Sequence, residues 1–319
     1  MAAEGGDIDD PHDPPEVKVY NKLIIALGRG GRWEESLSKF AEMKVTGLRP
    51  GVKAYSALIS ALGTGGQWEK ALSTFTELKA AGLRPTVITY GALISALEKG
   101  GQWEAALSIF AELKSSGLPP NAVTFNAAIR ALSLGAEPQW LRALALFDEM
   151  RSAGISPDNV TCCEVINVML MLGRRRVAVA FFRDRRSREY ATVFTRPRSA
   201  HVVLVQDGPQ MPVDRLDLHG LAHSSARVAV VGWLLELKAR GHSAAANTGG
   251  FIVTGRGNRS RVVGQSAVRE AVLELLTAEL RPPLACELPI ENPGCIVAHA
   301  PGWAAWLKAV DLEAWLQGR

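Results

Sequence analysis

Residues 87–121 read VITYGALISALEKGGQWEAALSIFAELKSSGLPPN, and this stretch decides the fold because the chain repeats it. Tyr20, Tyr55, Tyr90 and Phe125 recur every 35 residues, and Trp33, Trp68 and Trp103 keep the same spacing. Phe40, Phe75, Phe110 and Phe147 stay in register, as do Gly47, Gly82, Gly117 and Gly154. The fourth unit is two residues longer; the extra length falls in 134–139, so Trp140 and Pro157 arrive late. A period of this size is the mark of a solenoid, in which each unit buries its apolar face against its neighbours.

Each unit reads as two helices. In the second, Tyr55, Leu58, Ile59 and Leu62 fall at i, i+3, i+4 and i+7, one face of a first helix. Gly65-Gly66 breaks that helix, because two glycines lose backbone entropy and permit left-handed conformations. Trp68, Leu72, Phe75 and Leu78 line a second helix, which Gly82 caps and Pro85 prevents from continuing. The array is expected over residues 16–190, with a degenerate fifth unit in which Arg175 stands where the tryptophan belongs. The stretch from Arg174 to Arg198 holds nine arginines against Asp184 and Glu189. That imbalance predicts either a solubilising cap on the last repeat or a phosphate-binding patch.

Residues 1–15, acidic and proline-rich, read as a disordered leader, and 191–213 as a linker. From Asp214 the pattern becomes α/β. Arg215–Leu218 and Phe251–Val253 read as strands, each followed by a helix; Ser224 or Ser225 and then Ser266 supply the caps. Cys286–Ile290 and Gly294–Ala298 read as two more strands, and Trp303–Trp315 as a closing helix. The expected fold is an α-helical solenoid followed by a small α/β sandwich over 214–310, with 311–319 as a tail.

At 319 residues the chain suits about two domains, and 47% hydrophobic content supports a buried core in both. No apolar run reaches the ~18 residues of a membrane span, so no membrane partner is expected. Cys162, Cys163, Cys286 and Cys295 lack CxxC spacing, which argues against a zinc site or a disulfide framework; no metal ligand set is read. The acidic N-terminus is the opposite of a transit peptide. Either the protein stays where it is made or an upstream targeting segment is missing.

The 35-residue units resemble the pentatricopeptide repeat (PPR), closely over 17–158 and loosely over 159–186. In that family each repeat reads one RNA base. The resemblance implies that the readers are the residue after the aromatic and the last residue of the repeat. The pairs are Asn21 with Gly51, Ser56 with Thr86, Gly91 with Asn121, and Asn126 with Asp158, the last matching the family's pair for uracil. Four or five bases are too few to select one transcript, so additional repeats, a protein partner or promiscuous binding is expected.

Residues 214–310 resemble the small MutS-related (Smr) domain, through Leu216-Asp217-Leu218-His219-Gly220 and Thr254-Gly255-Arg256-Gly257. The resemblance implies nuclease activity. Asp217 and His219, two apart, share a strand face, and an imidazole there suits general acid–base work near neutral pH. Thr254, Gly255, Arg256 and Gly257 suit a phosphate, with Arg259 and Arg261 extending the track. Where members found after such arrays carry Trp in this motif, this chain has Arg256. A divalent cation such as Mg is compatible with that chemistry. The expected function is RNA processing, with single-stranded RNA as partner and Asp217 and His219 as catalysts; the alternative is a non-catalytic factor that stabilises RNA and uses the second domain as a clamp. Family resemblance points to a plastid or mitochondrion.

Overall fold

The computed structural model describes residues 14–135, 139–188, 213–218, 221–239, 249–254, 266–289, 294–299 and 302–318. Contacts divide the chain into two units, 1–157 and 158–319.

In the first unit the helix pairs follow the repeat. They are α1 (Pro15–Arg29) with α2 (Trp33–Val45), α3 (Val52–Thr64) with α4 (Trp68–Ala80), α5 (Val87–Lys99) with α6 (Trp103–Ser115), and α7 (Ala122–Ala131) with α8 (Gln139–Ser152). First helices stack on first helices, α1 on α3, α3 on α5 and α5 on α7. The second helices of the first three repeats send a phenylalanine edge-on against the next repeat's aromatic. Phe40 meets Tyr55 at 4.9 Å between centroids, Phe75 meets Tyr90 at 5.3 Å, and Phe110 meets Phe125 at 5.1 Å. Such pairs contribute about 0.5–1.5 kcal/mol each beyond the area they bury.

The glycines at the turns divide their work. Gly66 and Gly101 have φ of +70° and +75°, the left-handed turn the sequence predicts. Gly65 and Gly100 do not, at −82° and −80°. They are required because a tryptophan from the preceding repeat lies on them. A Cβ would come within 2.2 Å of Trp33 at Gly65 and 2.3 Å of Trp68 at Gly100.

A polar ladder runs beside the apolar seam. Glu77 accepts from Tyr55 (2.6 Å) in its own repeat and from Lys44 in the repeat before. Glu112 does the same with Tyr90 (2.9 Å) and Lys79 (3.1 Å), and Glu149 accepts from Lys114 (2.9 Å). At the fourth rung Phe125 stands where tyrosine stood. Burial first, then the Glu112 hydrogen bond, pushes the Tyr90 phenol up to about 12.

The second unit opens with α9 (Asn159–Met171) and α10 (Arg175–Arg188). Then come β1 (Val213–Asp217), α11 (His223–Ala239), β2 (Gly249–Val253), α12 (Ala267–Glu274) with a π turn over Leu275–Glu279, β3 (Cys295–Ala298), α13 (Gly302–Ala309) and α14 (Leu312–Leu316). The sheet order is β1-β2-β3, β1 and β2 parallel, β2 and β3 antiparallel.

Four expectations change here. The fifth repeat does not belong to the first unit's compact array: α9 and α10 pack on α11, where Gly232 faces Val179, Phe182 and Arg183. Three of its arginines, among the described residues, also have partners. Arg175 lies 4.9 Å over the Trp315 ring and donates to the Trp315 carbonyl at 3.0 Å, Arg176 pairs with Glu313, and Arg183 lies 3.9 Å from Glu236. The strand expected over Cys286–Ile290 is reduced, among the described residues, to one bridge between Glu287 and Val297. The helix expected over Trp303–Trp315 breaks at Val310-Asp311. The Asp311 N–H donates to Arg281 and its carboxylate accepts from Ala314 at 3.0 Å, so a cap starts a new helix there. Residues expected as a tail thereby enter the core, with Leu312 and Trp315 buried. Residues 1–13 of the expected leader (1–15) and 191–212 of the expected linker (191–213) lie outside the described residues.

Candidate nucleic-acid interface

The residue after each aromatic sits on a first helix. Ser56 is buried; its hydroxyl bonds the Val52 carbonyl (2.8 Å) and lies 2.7 Å from the Thr89 hydroxyl of the following repeat. Gly91 is buried too, and a Cβ on it would touch the Thr124 methyl at 3.4 Å. Asn21 and Asn126 are 1% and 8% exposed, and the Oδ1 of each is buried with no hydrogen-bond partner. A buried polar atom left unpaired costs about 1–3 kcal/mol. Both asparagines therefore hold a hydrogen-bonding capacity that the fold does not use.

The last residue of each repeat turns out to be the N-cap of the next first helix. Thr86 accepts from the Thr89 N–H (3.3 Å), Asn121 from Thr124 (3.0 Å) and Asp158 from Thr161 (2.9 Å), each in a capping box. Gly51 occupies the same place before α3 without a side chain. One carboxylate oxygen of Asp158 and the amide nitrogen of Asn121 are not spent on the cap, so capping and contact with a base are compatible. The sequence reading missed this structural duty, although the threonine three residues after Thr86, Asn121 and Asp158 is its signature.

Three residues before each first-helix reader, and therefore on the same helix face, stand Lys18, Lys53, Ile88 and Val123. Ile88 and Val123 are 69% and 60% exposed. The sequence reading passed over them because an exposed valine or isoleucine is unremarkable singly. Both recur on the helix face that carries the expected base readers.

In the second unit, Asp217 ends β1 in register with Val253, the residue before Thr254. Thr254 is buried, and both its N–H (2.8 Å) and its hydroxyl (3.1 Å) donate to the Gly294 carbonyl. It ties the end of β2 to the start of β3. The Asp217 side chain, His219, Gly255, Arg256, Gly257, Arg259 and Arg261 lie outside the described residues. Among the described residues no group of three or more His, Cys, Asp or Glu side chains gathers as a metal site, and no helix is long and apolar enough to cross a membrane.

Residues 50–99 and 85–133 match the PPR repeat family and residues 18–48 match the PPR repeat. The pentatricopeptide repeat PPR10 from maize is similar at 21% identity, over 84% of this chain and 36% of that one, with a TM-score of 0.51. PPR10 in complex with an 18-nucleotide psaJ RNA element is similar at 22% identity, over 72% and 34%, with a TM-score of 0.46. The PPR domain of Arabidopsis thaliana protein-only RNase P 1, in complex with tRNA, is similar at 12% identity over 53% and 89%, with a TM-score of 0.46. The chain spans about a third of the length of PPR10. No curated protein matches the chain.

Proposed function

We propose, with pentatricopeptide repeats running through residues 18–133 as the premise, that this chain binds single-stranded RNA and that its C-terminal module is an Smr domain that cuts the bound strand. The observation that carries the binding reading is the pair of buried, unpaired Oδ1 atoms on Asn21 and Asn126. A splayed base brings hydrogen-bond donors on its Watson–Crick edge, and an amide whose oxygen is not spent within the fold is free to turn and meet them. Ile88 and Val123 offer apolar contact to base faces, and Lys18 and Lys53 offer charge to the phosphates.

Cleavage rests on the Smr resemblance of Leu216–Gly220 and Thr254–Gly257. In this reading His219 moves the proton of the attacking oxygen, Asp217 orients the imidazole, and Arg256 stabilises charge developing on the phosphate. Thr254 serves the site by anchoring the strand end that carries the glycines.

The test has two arms. Affinity for single-stranded RNA is measured against salt, since phosphate contacts weaken steeply as salt rises; affinity that is negligible and insensitive to salt removes the RNA reading. Cleavage of that RNA is then compared for wild type and His219→Ala. Cleavage lost with binding retained supports the catalytic assignment. Undiminished cutting by His219→Ala sinks it, and footprint protection without cleavage leaves the module as a clamp.

A further inference from the structure

Three hydroxyls meet at the seam between the second and third repeats. Ser56 follows the aromatic of repeat two, Thr86 ends that repeat, and Thr89 stands three residues further on, in α5 of repeat three. Ser56 Oγ lies 2.7 Å and Thr86 Oγ1 3.0 Å from Thr89 Oγ1. Thr89 is sealed from solvent and Ser56 nearly so, whereas Thr86 is exposed. Thr89 therefore touches both expected readers of repeat two without being one itself.

The direction of every proton in this cluster follows from its neighbours. The Val52 carbonyl can only accept, so the Ser56 proton goes to it at 2.8 Å. The contact between Ser56 and Thr89 then needs the Thr89 proton, which Thr89 donates to Ser56. With that proton spent, the contact between Thr86 and Thr89 is Thr86 donating. The Thr86 N–H (3.1 Å) also donates to Thr89 Oγ1, which fills both of its lone pairs. The Thr89 N–H (3.3 Å) donates to Thr86 Oγ1. Ser56 and Thr86 each keep one lone pair and no proton. The next seam differs: Gly91 brings no hydroxyl to it, and Thr124 donates its proton to the Asn121 carbonyl at 2.8 Å, within its own cap.

We propose that Thr89 is a positioning residue that fixes Ser56 and Thr86 as acceptors, so that repeat two prefers guanine; this rests on the RNA-binding reading above. Both oxygens lie within 3.0 Å of one atom, Thr89 Oγ1, so a single base edge spans them. Guanine presents two adjacent donors on that edge, N1–H and the N2 amino group. Adenine and cytosine present one amino group beside a ring acceptor, and uracil one N–H between two carbonyls. Each of those three sets an acceptor against an acceptor and leaves a polar group unpaired. Selection thus reaches across the seam: a residue of repeat three sets what repeat two takes.

The test selects a randomised single-stranded RNA library on the full chain and compares enrichment, position by position, for wild type, Ser56→Ala, Thr89→Val and Thr89→Ser. The position whose preference moves in Ser56→Ala is that of repeat two. Guanine is expected there in wild type, by about 5-fold or more over each other base. Thr89→Val frees the Thr86 proton and should abolish the preference, Thr89→Ser keeps the hydroxyl and should retain it, and the other positions should stay as in wild type. A residue needed only for folding would weaken all sequences alike. Another preferred base at that position, a guanine preference that survives Thr89→Val, or no position that answers to Ser56→Ala overturns the proposal. The wild-type preference decides even where Thr89→Val fails to fold. RNA bound without this preference overturns the guanine inference alone, and no RNA bound overturns the RNA reading with it.

Discussion

Gly100→Ala tests whether the turn glycines are there for their backbone or for their neighbours. Gly100 closes α5 at φ −80°, a conformation alanine accepts. Chain entropy alone would then make the substitution stabilising by about 0.4–1 kcal/mol. The structure argues the opposite sign. The new Cβ would lie 2.3 Å from Cδ1, 2.5 Å from Cγ and 2.8 Å from Cβ of Trp68. These atoms are the root of the side chain, so the indole cannot swing aside at its tip and must leave the turn. Overpacking of this kind costs about 1–3 kcal/mol, and Trp68 also loses contact with the apolar cluster it borders. The net expectation is a loss of about 1–2 kcal/mol once the entropic gain is subtracted. Gly30→Ala is the internal control, at φ −79° and with no indole over it; it should stabilise by about 0.4–1 kcal/mol. Urea unfolding of the full-length chain, followed by circular dichroism, compares the midpoints at constant m. Equal stabilisation by both substitutions would refute the tryptophan argument.

Asn126→Ala removes a buried, unpaired oxygen, so it should leave stability undiminished while weakening RNA binding about 5- to 150-fold, the equivalent of ~1–3 kcal/mol; parallel melting and binding titrations read both, and unchanged affinity would contradict the base-reading role. Tyr90→Phe should expose the ladder's pH dependence. A phenol raised to about 12 from 10.0 contributes stability that is fully present below pH 10 and lost as pH climbs towards 12. The wild-type advantage over Tyr90→Phe should therefore shrink across that window, and an advantage constant from pH 9 to about 12 would be evidence against the linkage. A fragment spanning 158–319 should unfold cooperatively, whereas 214–319 should not, because it uncovers the face of α11 that α10 occupies; matching cooperative transitions would show that the fifth repeat is dispensable to the second unit.

The repeat was legible because its signals are local. The 35-residue period, the i, i+3, i+4, i+7 stripe and the glycine after each second helix depend on residues a few positions apart, and helices form on that scale. The break at Val310-Asp311 was not legible, since the hydrogen bond that fixes it comes from Arg281, a partner remote in sequence. The same holds for Arg175 and Arg176 of α10. As a string they are a basic run awaiting a polyanion; in space Arg175 and Arg176 meet Trp315 and Glu313, more than a hundred residues on. In the candidate interface the reader positions followed from family resemblance, but their burial did not. Nothing in the sequence distinguishes the unpaired oxygen of Asn126 from the spent hydroxyl of Ser56, because the difference is made by Thr89 across a seam.

By itself, then, the sequence determined the solenoid and its register, because periodicity is carried by near neighbours and survives without knowing what packs on what. Only the tertiary structure decided which glycines answer to a tryptophan and which residues after an aromatic keep an unpaired oxygen. Those are properties of contacts between segments distant in the chain, and complementarity of that kind is settled by burial and by hydrogen bonds made or left unmade, which no single segment records.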